Sequence, residues 1–346
     1  MLTQLSASVA GLPWMIGGHS FARMISCIHQ NELEDIGMKT IGNMLKNISP
    51  FNNREEMPTL VYIAKKLLAF FLMYWVAAVA GEAVIIGTLS AMGYDPLHGV
   101  MPEGNFAELL SYYGFAIFLL IAVLYCRLIE KRDFISLGFT KRVADYLLGG
   151  GIAAVLLAAI MGVCCVTGSL SWGGVNNNCD AVYLIGLGIG LVIQSAAEEV
   201  LSRGFLQLSL QRKTSVPVAI LISSTAFAMP HFSTLFEAET RYAIVGVINL
   251  YLVSAIFSLL VLCRANLWIA CGLHGIWNFI LYGIMGLTLS GNESTVKGLL
   301  KFEAKSGNIL NGGVYGLEAG IVTTVILGIT AAVLIYMYCR TADQRH

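Results

Sequence analysis

The sequence predicts an all-α, polytopic membrane protein of about eight transmembrane helices enclosing a buried polar site. Three observations carry this. Charged residues make up 12% of the chain and apolar residues 57%, with a mean hydropathy of +0.74; a soluble chain carries about 25% charged residues. The apolar residues come in runs of the ~20 residues that a hydrocarbon core requires. The basic residues gather at the ends of those runs, where they orient a membrane protein. The formal net charge is zero, so nothing points to a nucleic-acid partner.

Taken in order, the expected spans are Ile63–Met92, Phe106–Ile129, Tyr146–Val166, Ala181–Leu210, Val218–Phe236, Tyr242–Cys263, Leu267–Leu289 and Val314–Cys339. The first and fourth are long for one crossing, which predicts tilt or a protruding end. Arg127, Lys131, Arg132, Lys141 and Arg142 separate spans two and three; Arg212 and Lys213 separate four and five; Arg264 separates six and seven; Arg340 and Arg345 follow span eight. The connections after spans one and three contain no Lys or Arg. This asymmetry places both termini in the cytoplasm of a multi-pass cell-membrane protein. Lys297, Lys301 and Lys305 disagree, which suggests a re-entrant or surface-bound loop there. Glycines 149–151, 186, 188 and 190 allow close helix packing. The eight cysteines lack CxxC spacing and read as small packing residues.

Residues 1–58 form an N-terminal arm ahead of a membrane domain at 59–346. Within the arm, Ile25, Ile28, Leu33, Ile36, Ile41, Met44, Leu45 and Ile48 alternate with charged residues at roughly helical spacing. That pattern predicts an amphipathic helix on the inner leaflet or on the membrane domain, with a partner-binding arm as the alternative. Residues 52–58 read as a polar linker.

Glu198, Glu199 and Arg203 lie inside the fourth apolar run. Each ionised group costs about 2.5–3.5 kcal/mol at bilayer depth on insertion scales, so such a cluster is either a salt-bridge staple or a functional site. On a helix Glu199 and Arg203 are four residues apart on one face, in the favourable order for pairing. Glu198 points about 100° away and is the less compensated carboxylate, a candidate general base. His231, directly after Pro230, falls on span five, and His274 and Asn278 share one face of span seven. At about 1.5 Å per residue, Glu198, His231 and His274 lie roughly 15–27 Å from the basic ends of their spans, in one layer near mid-membrane. Pro230 removes a backbone N–H there and weakens the helix. Glu82 in span one and Glu318 near span eight read as structural or water-facing.

Glu198-Glu199-x-x-x-Arg203, Phe227-x-x-x-His231 and His274-x-x-x-Asn278, in that order, resemble the EExxxR, FxxxH and HxxxN motifs of the CPBP (Abi, CAAX-protease) family of membrane-embedded proteases, which includes the Ras-converting CAAX endopeptidase. The resemblance covers about residues 181–282. Residues 137–142 and 313–320 are more loosely similar to bacterial members. The resemblance implies an eight-helix intramembrane endopeptidase in which Glu198, His231, His274 and Asn278 form the catalytic site and Glu199 and Arg203 support it. It also implies a hydrophobic, membrane-associated or lipid-anchored peptide or protein as substrate, within the lipid bilayer.

The residues agree with that implication. Peptide hydrolysis needs an activated water, oxyanion donors and a proton for the leaving amine, and there is no GxSxG nucleophile. Glu198 would be the base, assisted by His231; His274 and Asn278 would donate to the oxyanion, at about 2.7–4 kcal/mol per donor. Two cofactor states stay open: none, or a Zn²⁺ ion held by Glu198, His231 and His274, a set like that of catalytic zinc sites. HExxH is absent. The bacterial similarities favour peptide maturation or bacteriocin self-immunity. The rival classes are a non-catalytic immunity or scaffold protein of the same fold and a proton-coupled transporter using the same residues as a relay.

Overall fold

The structure, a computed structural model, describes residues 42, 46–292, 298–305 and 307–343. The chain separates into two units, residues 1–49 and 50–346. Of the first unit, Gly42 and residues 46–49 are described, Gly42 and 46–48 in helical conformation; the predicted amphipathic arm otherwise lies outside the described residues.

The second unit is an all-α polytopic membrane domain. Seven of its helices are long and apolar enough to cross a membrane: α1 Thr59–Ala91, α2 Phe106–Leu128, α3 Asp145–Val166, α4 Ala181–Leu210, α5 Val216–Glu237, α6 Thr240–Arg264 and, after a shorter helix, α8 Ile321–Arg340. The shorter helix is α7, Trp268–Ile284. The expected seventh span, Leu267–Leu289, is therefore cut back, to 11 α-helical residues followed by 6 π-helical ones. The eighth span also starts later than Val314. Gly312, Gly313 and Gly316 have φ of +80°, +58° and +101°, a left-handed region that stops a helix from propagating. α1 has 33 residues, about 50 Å at 1.5 Å per residue, so tilt or a protruding end is required.

Outside the helices, β1 Leu170–Val175 pairs antiparallel with β2 Leu300–Ala304. Lys301 therefore sits on an exposed two-stranded sheet, with Lys305 just after it, and the loop's described part is extended, not helical. Polar residues 52 and 54, expected in a linker, are held by α1: Lys65 Nζ donates to Asn52 Oδ1 at 2.8 Å and to the Arg54 carbonyl at 2.7 Å.

Packing fixes the position of α7. A Cβ on Gly149 of α3 would stand 2.1 Å from the Ile269 carbonyl oxygen, and one on Gly272 would stand 2.0 Å from that of Tyr146. Only glycine allows these backbones to meet, and the contact sets the helix that carries His274 and Asn278. A Cβ on Gly151, by contrast, would meet nothing within 4 Å. Asp145 anchors the basic end of the same pair, accepting from Arg264 Nη2 at 2.6 Å and from Asn266 Nδ2 at 2.7 Å. At that end of the bundle, buried Lys66 pairs with Glu130, which also takes Arg132 Nη1 at 3.0 Å. Arg132 reaches Ser209 Oγ on α4 at 2.9 Å. These ion pairs are mutually compensated, as buried charges must be.

Candidate active site

Asp180 caps α4, its Oδ1 accepting from the backbone N–H groups of Val182 and Tyr183 at 2.9 and 3.1 Å, a cap worth about 1 kcal/mol. α4 is α-helical to Glu199 and π-helical over Val200–Gln207. α7 makes the same change immediately after Asn278. Two motif-bearing helices thus widen at the motif, and π-turns inside α-helices recur at functional sites. α5 breaks at Pro230: Met229–His231 form a 3₁₀ turn between two α-helical segments.

The deepest layer is Glu199 and Arg203, both fully buried, with Arg203 Nη1 donating to Glu199 Oε1 at 3.1 Å. The guanidinium lies between two rings, its Cζ 4.3 Å from the centroid of Phe227 and 5.0 Å from that of Phe257, each contact worth up to about 2 kcal/mol when desolvated. Its Nη2 donates to the Ser254 hydroxyl and carbonyl on α6. His274 Nδ1 donates to Glu199 Oε1 at 3.0 Å, and its ring stacks on Phe257 at 5.1 Å. With Nδ1–H committed there, Nε2 is the atom left for the cavity, 3.9 Å from Glu198 Oε2. That gap is too long for a direct hydrogen bond.

The next layer belongs to Glu198. Its Oε1 accepts from Gln194 Nε2 at 2.5 Å, and Gln194 Oε1 accepts from Asn278 Nδ2 at 3.1 Å. Its Oε2 takes no hydrogen bond from any described residue. Across from it, His231 Nδ1 donates to the Phe227 carbonyl at 3.1 Å, which leaves Nε2 free of that tie. Glu198, His231, His274 and Asn278 all line one cavity of about 390 Å³. The sequence-predicted site residues are therefore together, with Glu199 and Arg203 behind them; among the described residues no hydrogen bond or ion pair links His231 to Glu198.

Of the polar residues of this cavity that sequence reasoning missed, three are tied to the motif residues or to each other. Gln194 lies one turn before Glu198 on the same face, and Tyr282 one turn after Asn278, so helical periodicity could have found both. Glu108, in the first turn of α2, had no local signal; its Oε1 accepts the Tyr282 hydroxyl. Glu318 is structural: it accepts from Trp277 Nε1 at 3.1 Å and from the Ser290 N–H at 2.6 Å, tying the cavity rim to α7. Glu82 is exposed on α1 and does not line the cavity.

Glu198, His231 and His274 have the donor chemistry of a zinc site. Among the described residues, however, no three His, Cys, Asp or Glu side chains are grouped to hold a metal ion.

No curated protein matches the chain. Residues 180–280 match the family model described as Rce1-like, type II CAAX prenyl endopeptidase Rce1-like, and that segment spans α4 to Ile280 of α7, which supply Glu198, His231, His274 and Asn278. Over this segment of its membrane core the chain is similar to the CAAX-protease family of membrane-embedded peptidases.

Proposed function

We propose that the protein hydrolyses a peptide bond in a membrane-associated peptide, using a water activated by Glu198. One observation carries the reading. The unbonded Oε2 of Glu198 and Nε2 of His274 face each other across 3.9 Å at the wall of a cavity that His231 and Asn278 also line. A water between two such acceptors donates one hydrogen to each.

In the proposed reaction Glu198 Oε2 removes a proton from the water as its oxygen bonds to the scissile carbonyl carbon. The oxyanion that forms accepts from the Asn278 Nδ2–H not used by Gln194, while His274 Nε2 orients the attacking water. Collapse of the tetrahedral intermediate breaks the C–N bond, and the proton held by Glu198 passes to the leaving amine, with His231 Nε2 as the assisting group. Glu199 and Arg203 hold His274 in one tautomer and orientation, the task that an orienting carboxylate performs for a catalytic imidazole. No step is routed through a metal.

The topology supports an extracytoplasmic opening. Arg127 and Arg264 lie at one end of α2 and α6, and Arg212 just before α5, whereas the rim residues Glu108 and Thr234 belong to the opposite ends of α2 and α5, and Asn292 follows the C-terminal end of α7. If the basic end is cytoplasmic, the cavity meets a peptide on the outer side. That suits bacterial peptide maturation or self-immunity better than a cytoplasmic prenylated tail. Glu82 and Glu318 are not among the residues that line the cavity.

The test is cleavage of quenched, membrane-anchored peptides by the reconstituted protein, with candidate sequences drawn from peptides that accumulate in cells lacking it. Glu198→Gln is expected to lower the rate about 10²–10⁴-fold with folding intact, and EDTA to leave the wild-type rate unchanged. A Glu198→Gln protein that cleaves normally would sink the proposal. An immunity phenotype that survives the substitution would support the scaffold reading, and substrate-dependent proton flux without cleavage the transporter.

A further inference from the structure

Beside the cavity stands a second, smaller space that the hydrolytic scheme does not use. It measures about 30 Å³, against about 390 Å³ for the cavity. Phe115, Glu198, Pro230 and His231 line both, so the smaller space adjoins the cavity at the proposed base and its assisting imidazole. The character of the walls changes there. The cavity is rich in carboxylates, amides and imidazoles. The rest of the smaller space is walled by aromatic and aliphatic side chains of α1, α2, α4 and α5, with the hydroxyls of Tyr74 and Ser202 as its further polar groups.

Those walls are braced. Phe118 stacks on Phe115 with ring centroids 4.9 Å apart and meets Tyr74 edge-on at 5.5 Å. Tyr74 in turn lies against Phe70 at 6.5 Å. Phe227, on α5, is held by the Arg203 guanidinium 4.3 Å from its centroid and meets Phe257 edge-on at 6.3 Å. Close-packed walls of this kind yield only through off-rotamer side chains or backbone shifts, so an oversized group is rejected. The volume holds roughly two or three water-sized spheres, the bulk of an Ala, Ser or Val side chain. A scissile carbonyl carbon within reach of a water on Glu198 brings the side chains of its two flanking residues to this wall.

We propose that this recess is a specificity subsite for the side chain of a residue flanking the scissile bond, and that it admits small side chains and rejects large ones. The enzyme then cuts its membrane-associated substrate next to a small residue. The proposal rests on the peptidase reading and names the substrate class for the same site.

The probes are quenched leucine-alanine transmembrane peptides with a serine-glycine tail, in which a single Ala, Val, Leu or Phe is walked along the tail. Product masses identify the bond cut by the reconstituted protein. At one position flanking that bond, Leu and Phe are expected to lower kcat/KM about tenfold or more relative to Ala and Val. Phe118→Ala, or the milder Phe118→Leu, opens the recess and should raise the Phe-to-Ala ratio about tenfold. Ala226→Val narrows it and should lower the Val-to-Ala ratio. A ratio taken within one preparation is unaffected by partial loss of folded protein. Binding of the same peptides is measured to Glu198→Gln protein in nanodiscs. A size ranking in binding that shifts with Phe118 and Ala226, with no cleavage by wild type, would overturn the peptidase reading alone. Cleavage indifferent to side-chain size, or a ranking that both substitutions leave unchanged, would overturn the subsite alone, as expected of a recess that holds only water.

Discussion

Two adjacent glutamates of one helix meet different fates, and the difference comes from geometry that single residues already encode. Glu199 and Arg203 are four residues apart, and the pair was legible from that spacing. Its partner His274 is 75 residues away, and the rings of Phe227 and Phe257 that enclose the guanidinium come from α5 and α6. These contacts follow only from how the helices pack. Gln194 was readable at the same spacing as Arg203 but carries no charge to draw attention to it. A buried ion pair adds little net stability, yet breaking it by removing one partner costs about 3–5 kcal/mol, because a buried charge is left alone. Arg203→Ala is therefore expected to lower stability in detergent unfolding by that amount. Arg203→Met with Glu199→Gln, which removes both charges and keeps volume, should restore most of it, while peptide cleavage stays low because His274 has lost its anionic anchor. A double variant as unstable as the single one would show that the charges are not the cause.

At the scale of the element, irregular turns place the site. Pro230 was readable as a weak point, and the 3₁₀ turn stands there. The π-helical stretches after Glu199 and Asn278 were not readable, since the single glycine in each, Gly204 and Gly283, is tolerated within an ordinary helix. In a continuous helix the Phe227 carbonyl would take the His231 backbone N–H; here it takes the His231 ring. Pro230→Ala permits the regular helix, which would satisfy that carbonyl from the backbone and release the imidazole. The expected result is a protein at least as stable as wild type, since an interior proline costs a helix about 3 kcal/mol, with kcat reduced about tenfold or more. Misplacement of a catalytic group by an ångström can cost about a hundredfold. An unchanged kcat with a raised melting temperature would remove any positioning role from Pro230.

For the whole molecule, apolar run length gave the membrane class and most spans, because the bilayer leaves helices as the available form for such runs. What it did not give was where polar connections fold outside the bilayer. α7 is short because its C-terminal end turns into the cavity rim, and residues 170–175 and 300–304 pair as strands across a sequence gap that no local pattern joins. The same architecture makes a directional prediction. The basic residues and the cavity rim lie at opposite ends of the bundle, so the charge asymmetry and the site's access are one question. Lys213, after α4, and Lys301, on β2, are both exposed and mark the two ends. In a chain freed of its other cysteines, Lys301→Cys should react with a membrane-impermeant maleimide in intact cells, and Lys213→Cys only after permeabilisation. The reverse pattern would place the cavity mouth on the cytoplasmic side. It would turn the search for the natural substrate from exported peptides to the tails of cytoplasmic, lipid-anchored proteins.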